Sequence, residues 1–443
     1  MSLFDKRDNE FIAWYPPCVN ADEAGTVWEP ARTGYYVHIP FCSAICDYCG
    51  FAVDRLRNAN VERYLRALHS EIDRYADAGR LAGREFACGH FGGGTPSAIE
   101  GAELVSVLEH VHRVCAVTPD AEITVEVNPI SFTLDKAVAY REAGVNRISF
   151  GVQSFDDETL RVIGRPHRSG DVMQTLEVID RAGFENYSLD LIYGVPGQTL
   201  EGLGRDLDRV IETGATHVSC FRLEIIPFTK LKLREAAGLL PDRLDGRTVD
   251  EMDDLVTERL TAGDYREYGV FNFAKRGFES VHNEIAFMAP QGEYFGFGNS
   301  SYSYAAGAIY TNEADVNAYV DAVESGRDPI ALGHRVTALE EMSRYFVLGL
   351  KFFRVPRPPF ISIFGLEPEE VFGDVLEALV DAGMIERTPE EYVLSRAGRH
   401  YVNNVSKQFY VGENLGHRQH KQFVPTLTVK EINRFAKLAG SAS

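Results

Sequence analysis

From Tyr35 onward the chain alternates between two rhythms. Short apolar runs rich in β-branched residues, at 35–40, 86–91, 122–127, 147–152, 188–193 and 218–225, read as strands. Between them lie longer stretches in which apolar residues recur every three or four positions, the period of a helix with one buried face. The window 60–78 is the clearest, because Val61, Tyr64, Leu65, Leu68 and Ile72 fall on one stripe. A second window, 134–143, stops at Gly144, a residue suited to the left-handed turn that ends many helices. Repeated βα units predict an α/β fold with a parallel sheet. The period alone leaves open whether that sheet curls into a partial barrel or stays a doubly wound layer. In both, the chemistry gathers at the carboxyl ends of the strands.

The rhythm changes again near 337, and the stretch to 402 reads as a small helical domain with a β-wing, its strand signals lying around Met384-Ile385-Glu386 and Tyr392-Val393-Leu394. The expected organisation is an N-terminal arm over 1–34, a βα unit with its closing segment over 35–330, a helical domain over 335–405 and a tail over 406–443. The arm holds Trp14-Tyr15-Pro16-Pro17-Cys18, an aromatic and proline cluster expected to cross a surface near the active site. His417, Arg418, His420 and Lys421 in the tail read as a solvated basic patch.

Charge narrows the partners. The 45 Lys and Arg against 65 Asp and Glu give a formal charge of −20, which disfavours nucleic acid or an anionic membrane as partner. No apolar run approaches the roughly 20 residues needed to span a bilayer, and the start lacks the apolar core of a signal peptide, so a cytoplasmic protein is expected. Seven cysteines in a chain this long, three of them clustered, do not resemble a secreted disulfide framework. Cys18, Cys88, Cys115 and Cys220 are scattered and read as small buried side chains.

The clustered three, Cys42, Cys46 and Cys49, carry the strongest chemical signal. A structural zinc site wants four ligands in two pairs, and no second Cys-x-x-Cys pair exists to complete one. A four-iron cluster held by three thiolates instead keeps one iron open to a small molecule. Phe41, Ile45 and Tyr48 are placed to shield such a cluster from water. Further motifs follow the proposed strands: Gly92-Gly93-Gly94-Thr95-Pro96, where missing Cβ atoms let a ligand approach the backbone, then Glu126-Val127-Asn128-Pro129 and Gln153-Ser154. Strand alternation sends Glu126 to the face opposite Val125 and Val127, toward the interior of a barrel.

The spacing Cys-x3-Cys-x2-Cys after a strand ending His38-Ile39-Pro40-Phe41 resembles the radical S-adenosylmethionine (SAM) enzymes, and within them the branch containing oxygen-independent coproporphyrinogen III oxidase. The resemblance covers roughly 35–405. It implies a partial (β/α)6 barrel, a [4Fe-4S] cluster on Cys42, Cys46 and Cys49, and SAM bound at the open iron, cleaved on one-electron reduction to methionine and a 5′-deoxyadenosyl radical. It further implies that Gly92, Gly93, Gly94 and Thr95 receive the methionine amino group, and that Glu126, Gln153, Arg165 and Asp190 contact SAM, with Arg165 pairing the carboxylate. Tyr36 and Tyr48 match positions that shape the adenine and sulfonium pocket. The partners implied are a small-molecule substrate and an electron donor such as flavodoxin or ferredoxin.

Within the branch, heme chaperones carry His-Asn-x-x-Tyr-Trp, whereas this chain reads His282-Asn283-Glu284-Ile285-Ala286-Phe287. His282 is therefore taken as a satisfied structural or substrate-side histidine. The oxidases use an arm of the type Tyr-Thr-Ser-Tyr-Pro-Thr, which Tyr15-Pro16-Pro17-Cys18 matches poorly. With both signatures missing, the expected activity is that of a class C radical SAM methyltransferase. Such an enzyme binds two SAM molecules and transfers a methyl or methylene group to an sp2 carbon of an aromatic or unsaturated natural product, by methylation or cyclopropanation. The alternatives are a coproporphyrinogen decarboxylase and a heme chaperone.

Overall fold

All six expected strands form, in the expected order. β1 (Arg32–Ile39), β2 (Glu85–Gly93), β3 (Ala116–Val127), β4 (Arg147–Gln153), β5 (Tyr187–Tyr193) and β6 (His217–Arg222) pair consecutively and in parallel. The structure, a computed structural model, describes residues 15–16 and 29–411. β3 starts earlier than its apolar run, because Ala116 and Val117 pair with Glu85 and Phe86 ahead of a bulge.

The sheet is wider than the apolar runs suggest. β7 (Arg266–Gly269) and β8 (Asn272–Ala274) extend one side, and β9 (Gly292–Phe297), β10 (Tyr302–Ala305), β11 (Ala308–Asn312) and β12 (Ile330–Arg335) the other. The order is β12-β11-β10-β9-β1-β2-β3-β4-β5-β6-β8-β7, with β9 parallel to β1 and the strands beyond each flank antiparallel. No strand pairing joins β12 to β7 among the described residues, so this α/β sheet is a partial barrel.

Helices cross between strands as parallel pairing requires. α1 (Val61–Asp77) covers the expected stripe and is capped by Asn60, whose side chain accepts from Arg63 N–H at 3.0 Å. α2 (Gly101–Val114), α3 (Leu134–Glu142), α4 (Ser169–Ala182) and α5 (Leu200–Thr213) follow, and Gly183 and Gly214 take left-handed φ values of 75° and 77° to end the last two. α6 (Lys230–Ala236), α7 (Gly246–Ala262), α8 (Val281–Ala286) and α9 (Val316–Glu324) complete the layer.

Strand alternation builds the site. Tyr35, Val37 and Ile39, then Val125, Ile148, Phe150, Val152, Leu189 and Leu191, are buried in the core beneath the helices. Their neighbours Tyr36, His38, Glu126, Ser149, Gly151, Gln153, Asp190 and Ile192 line a cavity on the inner face.

Behind β1, Glu71 of α1 is buried with three donors aimed at it: Tyr319 Oη (2.7 Å), Gly298 N–H (2.8 Å) and Asn312 Nδ2 (2.6 Å). Burial outweighs these bonds and pushes the Glu71 carboxyl up to about 7 from 4.5. A carboxyl raised on folding favours the native state most below its unfolded value, and that contribution is lost as pH rises through the folded value. Wild-type stability should therefore fall between about pH 4.5 and 7 relative to Glu71→Gln. Urea midpoints of the two proteins at pH 5 and pH 8 check this, and parallel pH profiles would refute it.

A second buried cluster lies beyond the sheet, around α10 (Ala338–Gly349), α11 (Arg357–Phe364), α12 (Pro368–Asp381) and a three-stranded sheet of Arg354–Pro356, Glu391–Leu394 and Ile385–Arg387. Phe346 stacks on Phe409 and meets Phe360 and Phe372 edge-on. In this apolar setting Arg344 Nη1 lies 2.8 Å from Glu341 Oε2, its Nε donates to Tyr15 O at 2.8 Å, and its guanidinium covers the Tyr304 ring. Tyr15, expected on an arm crossing a surface, instead belongs to this cluster: it stacks on Tyr410 at 4.2 Å and accepts from Val411 N–H. The ring is too large and apolar to leave in water when an aromatic pocket is offered. Trp14, Cys18 and the tail from 412 lie outside the described residues.

Candidate functional site

The cavity at the carboxyl ends of the strands measures roughly 580 Å³, within the ordinary range for a small-molecule site. Cys42, Cys46 and Cys49 border it from a loop that leaves β1 through Phe41 and Cys42, which pair with Asp54 and Arg55. Cys42 Sγ lies 3.4 Å from Thr95 Oγ1, and Arg165 Nη1 donates to Cys46 Sγ at 3.1 Å. Burial pushes the Cys42 thiol up to about 11 and the Cys49 thiol up to about 12. Three thiols on one short loop, none in a disulfide, thus face one cavity, and at Cys42 and Cys49 only a strong positive charge would ionise them. That donor set fits a metal cluster.

The other expected site residues converge on the same space. Tyr36, Tyr48, Gly93, Gly94, Thr95, Glu126, Gln153, Arg165 and Asp190 all border the cavity. Gly92 stands behind Glu126, where an added Cβ would come within 2.8 Å of Oε1. The glycine run meets demands from inside the protein as well as room for a ligand. A Cβ on Gly93 would strike the His38 ring at 2.5 Å, and one on Gly94 would strike Pro40 O at 2.5 Å.

No ion pair joins Glu126, Arg165 and Asp190 to one another. Glu126 Oε1 is instead held 2.9 Å from His90 Nε2, and Arg165 Nη2 donates to Gly151 O at 2.7 Å. Arg165 Nε is buried with no partner among the described residues, a donor that a bound anion would satisfy. Burial, reinforced by Glu126, raises the Asp190 carboxyl to about 7. Gln153 adopts φ 66°, and Asp206 fixes the turn after it by accepting from Ser154 Oγ at 2.6 Å and Phe155 N–H at 2.9 Å. Gly151 is required beside it, since a Cβ there would lie 2.3 Å from Gln153 Nε2.

Several roles in the site escape a reading of motifs. His38 sits two positions from Tyr36 on the same strand face, an alternation that could have revealed it. Its Nε2 lies 3.0 Å from Ala52 O, which accepts, so Nδ1 accepts from Tyr36 Oη at 3.1 Å. Burial lowers its pKa to about 4, which keeps the ring neutral. His90 becomes visible only once β2 and β3 are placed in register. The wall formed by Phe221, Leu223 and Ile226 carries no sequence signature.

His282 borders the outer part of the cavity on α8, with Asn283, Ala286 and Phe287. Its ring stacks on His90 at 4.7 Å and tilts over Tyr36 at 6.3 Å. It makes no hydrogen bond among the described residues, so of the two expected roles, satisfied structural or substrate-side, its place on the cavity wall fits the substrate-side one. Burial, with His90 beside it, lowers its pKa to about 3.

Comparison with known proteins identifies relatives of the chain. The Radical SAM superfamily profile matches residues 36–210. The heme chaperone HemW of Bacillus subtilis (strain 168) is 34% identical over 380 residues, spanning 84% of this chain and 98% of the relative. Oxygen-independent coproporphyrinogen III oxidase of Cereibacter sphaeroides is 27% identical over 408 residues, 85% of this chain and 88% of the relative. Among solved structures, coproporphyrinogen III oxidase (HemN) from Escherichia coli superposes with a TM-score of 0.77 at 24% identity, covering 90% of this chain and 97% of that one, which confirms the fold. Among the described residues no helix is long and apolar enough to cross a membrane.

These relatives overturn the expectation of a class C methyltransferase or cyclopropanating enzyme. That expectation rested on two missing local signatures, the residues at 286–287 and the arm, whereas the similarity to heme chaperones runs along the whole core. Membership of the superfamily implies a [4Fe-4S] cluster and SAM. The chain belongs to the radical SAM superfamily, in the branch of heme chaperones and oxygen-independent coproporphyrinogen III oxidases.

Proposed function

We propose that this chain is a heme-binding radical SAM protein of the chaperone kind. In this reading Cys42, Cys46 and Cys49 hold the cluster, SAM lies along β2 to β5, and His282 offers a neutral imidazole to heme in the outer cavity. The observation that carries it is His282: a partnerless, uncharged ring nitrogen at a cavity wall is what a heme iron takes as an axial ligand. Its neighbours support a flat apolar guest. Ala286 leaves space, and Phe287, Phe221 and Leu223 offer apolar surface.

When bound, the cluster and SAM supply one-electron reductive chemistry that no side chain can provide. The protein groups bind and orient. Arg165 presents its unpartnered Nε to the SAM carboxylate, with its other nitrogens fixed on Cys46 and Gly151. Gly93, Gly94 and Thr95 leave the backbone open beside the cysteine loop, and His90 keeps Glu126 turned toward the amino group. Tyr36 is locked by its bond to His38 and walls the pocket against water.

Anaerobic titration of the reconstituted protein with heme, followed at the Soret band, tests the reading. Wild type should bind one heme, and His282→Ala should bind at least about tenfold more weakly, a loss of roughly 1.4 kcal/mol. Unchanged binding in the variant would remove His282 from the heme site. Decarboxylation of coproporphyrinogen III with SAM and reductant would establish the oxidase reading instead.

A further inference from the structure

Between the second and third cysteines stands a carboxylate that the reading above leaves unused. Asp47 is 5% exposed, and its two oxygens are divided between two cations of α6. Lys230 Nζ lies 2.9 Å from Oδ1 and Arg234 Nη1 2.6 Å from Oδ2. The backbone repeats the tie, since Leu231 N–H donates to Asp47 O at 2.6 Å. Arg234 also donates to Val162 O at 2.8 Å. Gly164, at φ 71°, packs so closely that a Cβ there would come within 2.3 Å of the Asp47 carboxyl carbon.

Three segments therefore meet on this side chain: the cysteine loop, the turn that delivers Arg165 to Cys46, and the start of α6. The last of these begins at its cap Thr229, just after Leu223, Glu224 and Ile226 have formed the rim of the cavity. Stability alone does not call for a charge here, because well-packed apolar residues often replace a buried ion pair at no loss. A carboxylate with two directional partners instead fixes orientation. It also places one negative and two positive charges near the thiolates, and local charge and hydrogen bonding tune cluster potentials.

We infer that Asp47 is a positioning residue for the cysteine loop: by tying the loop to α6 it sets how Cys46 and Cys49 present their thiolates, and with Lys230 and Arg234 it sets part of the cluster's reduction potential. The inference rests on Cys42, Cys46 and Cys49 being the ligands.

The test compares wild type, Asp47→Asn, Lys230→Met and Cys46→Ala, each reconstituted anaerobically. Two quantities are read: iron retained after gel filtration with a chelator, and the midpoint potential of the retained cluster by redox titration. Thermal melting of the iron-free forms controls for folding. Asp47→Asn and Lys230→Met should each lose iron several-fold faster than wild type. Their potentials should shift in opposite directions, upward where a negative charge is removed and downward where a positive one is. Asp47→Glu should restore the potential. Wild-type retention in both variants, or shifts of the same sign, overturns the inference. Should Asp47→Asn fail to fold, Lys230→Met decides, because that side chain is part-exposed; a potential below wild type supports the inference and an unchanged one overturns it. A Cys46→Ala protein that loads as much cluster as wild type would instead bring down the ligand assignment, and the inference with it.

Discussion

Alanine in place of Cys42, Cys46 or Cys49 is expected to bring SAM cleavage to background and to strip the reconstituted protein of iron. Each of the three thiols borders the cavity, and the loop supplies no spare thiol. Outer-shell partners of metal ligands typically cost about 10–100-fold in metal affinity or activity, so losing a ligand itself should exceed that range. Release of 5′-deoxyadenosine from SAM under dithionite, with iron and sulfide counted per chain, measures both effects. The contrast lies in Cys88, Cys115 and Cys220, which are buried in the sheet and its helices. Alanine at those positions should leave iron content unchanged. Normal cleavage by any one of the three loop variants would refute the ligand role of that cysteine.

The largest effect on stability is expected at Arg344. Its side chain is 2% exposed and that of Glu341 is fully buried. Arg344→Ala would strand the Glu341 carboxylate, release Tyr15 O and open a cavity among aromatic rings, and breaking a buried pair in this way costs about 3–5 kcal/mol. Urea denaturation of the two proteins measures the loss. The double variant Glu341→Leu, Arg344→Met should recover much of it, because no unpaired charge remains. A single variant as stable as wild type would mean that water reaches the Glu341 carboxylate.

The six inner strands were legible because each carries a short run of β-branched and aromatic residues with one set of alternate positions buried beneath the helices. β10 to β12 were not, since they are short hairpin pieces whose pairing depends on turns. The cysteine loop was legible for a local reason: three ligands within eight residues leave their whole geometry in the spacing. Partnerships made across the fold were hidden. His90 reaches Glu126 only through the register of two strands, and Asp47 meets Arg234 across a separation of 187 residues. Tyr15 carried an aromatic signal with no direction, so its place beneath Arg344 could not be read. The stacking of His282 on His90 was hidden for the same reason, because the two rings come from distant parts of the chain.

The gap between β12 and β7 has a mechanical meaning for the sheet. A closed barrel has its bore fixed by strand number and shear, so widening it means breaking a ladder of hydrogen bonds. Here the two margins of the sheet share no such ladder among the described residues. Beside β7, Val270 N–H donates to Lys351 O at 2.8 Å, and on β12, His334 Nε2 lies 2.9 Å from Glu340 Oε1, so the spacing of the two margins is set by the segment 340–351 that holds both and not by strand pairing.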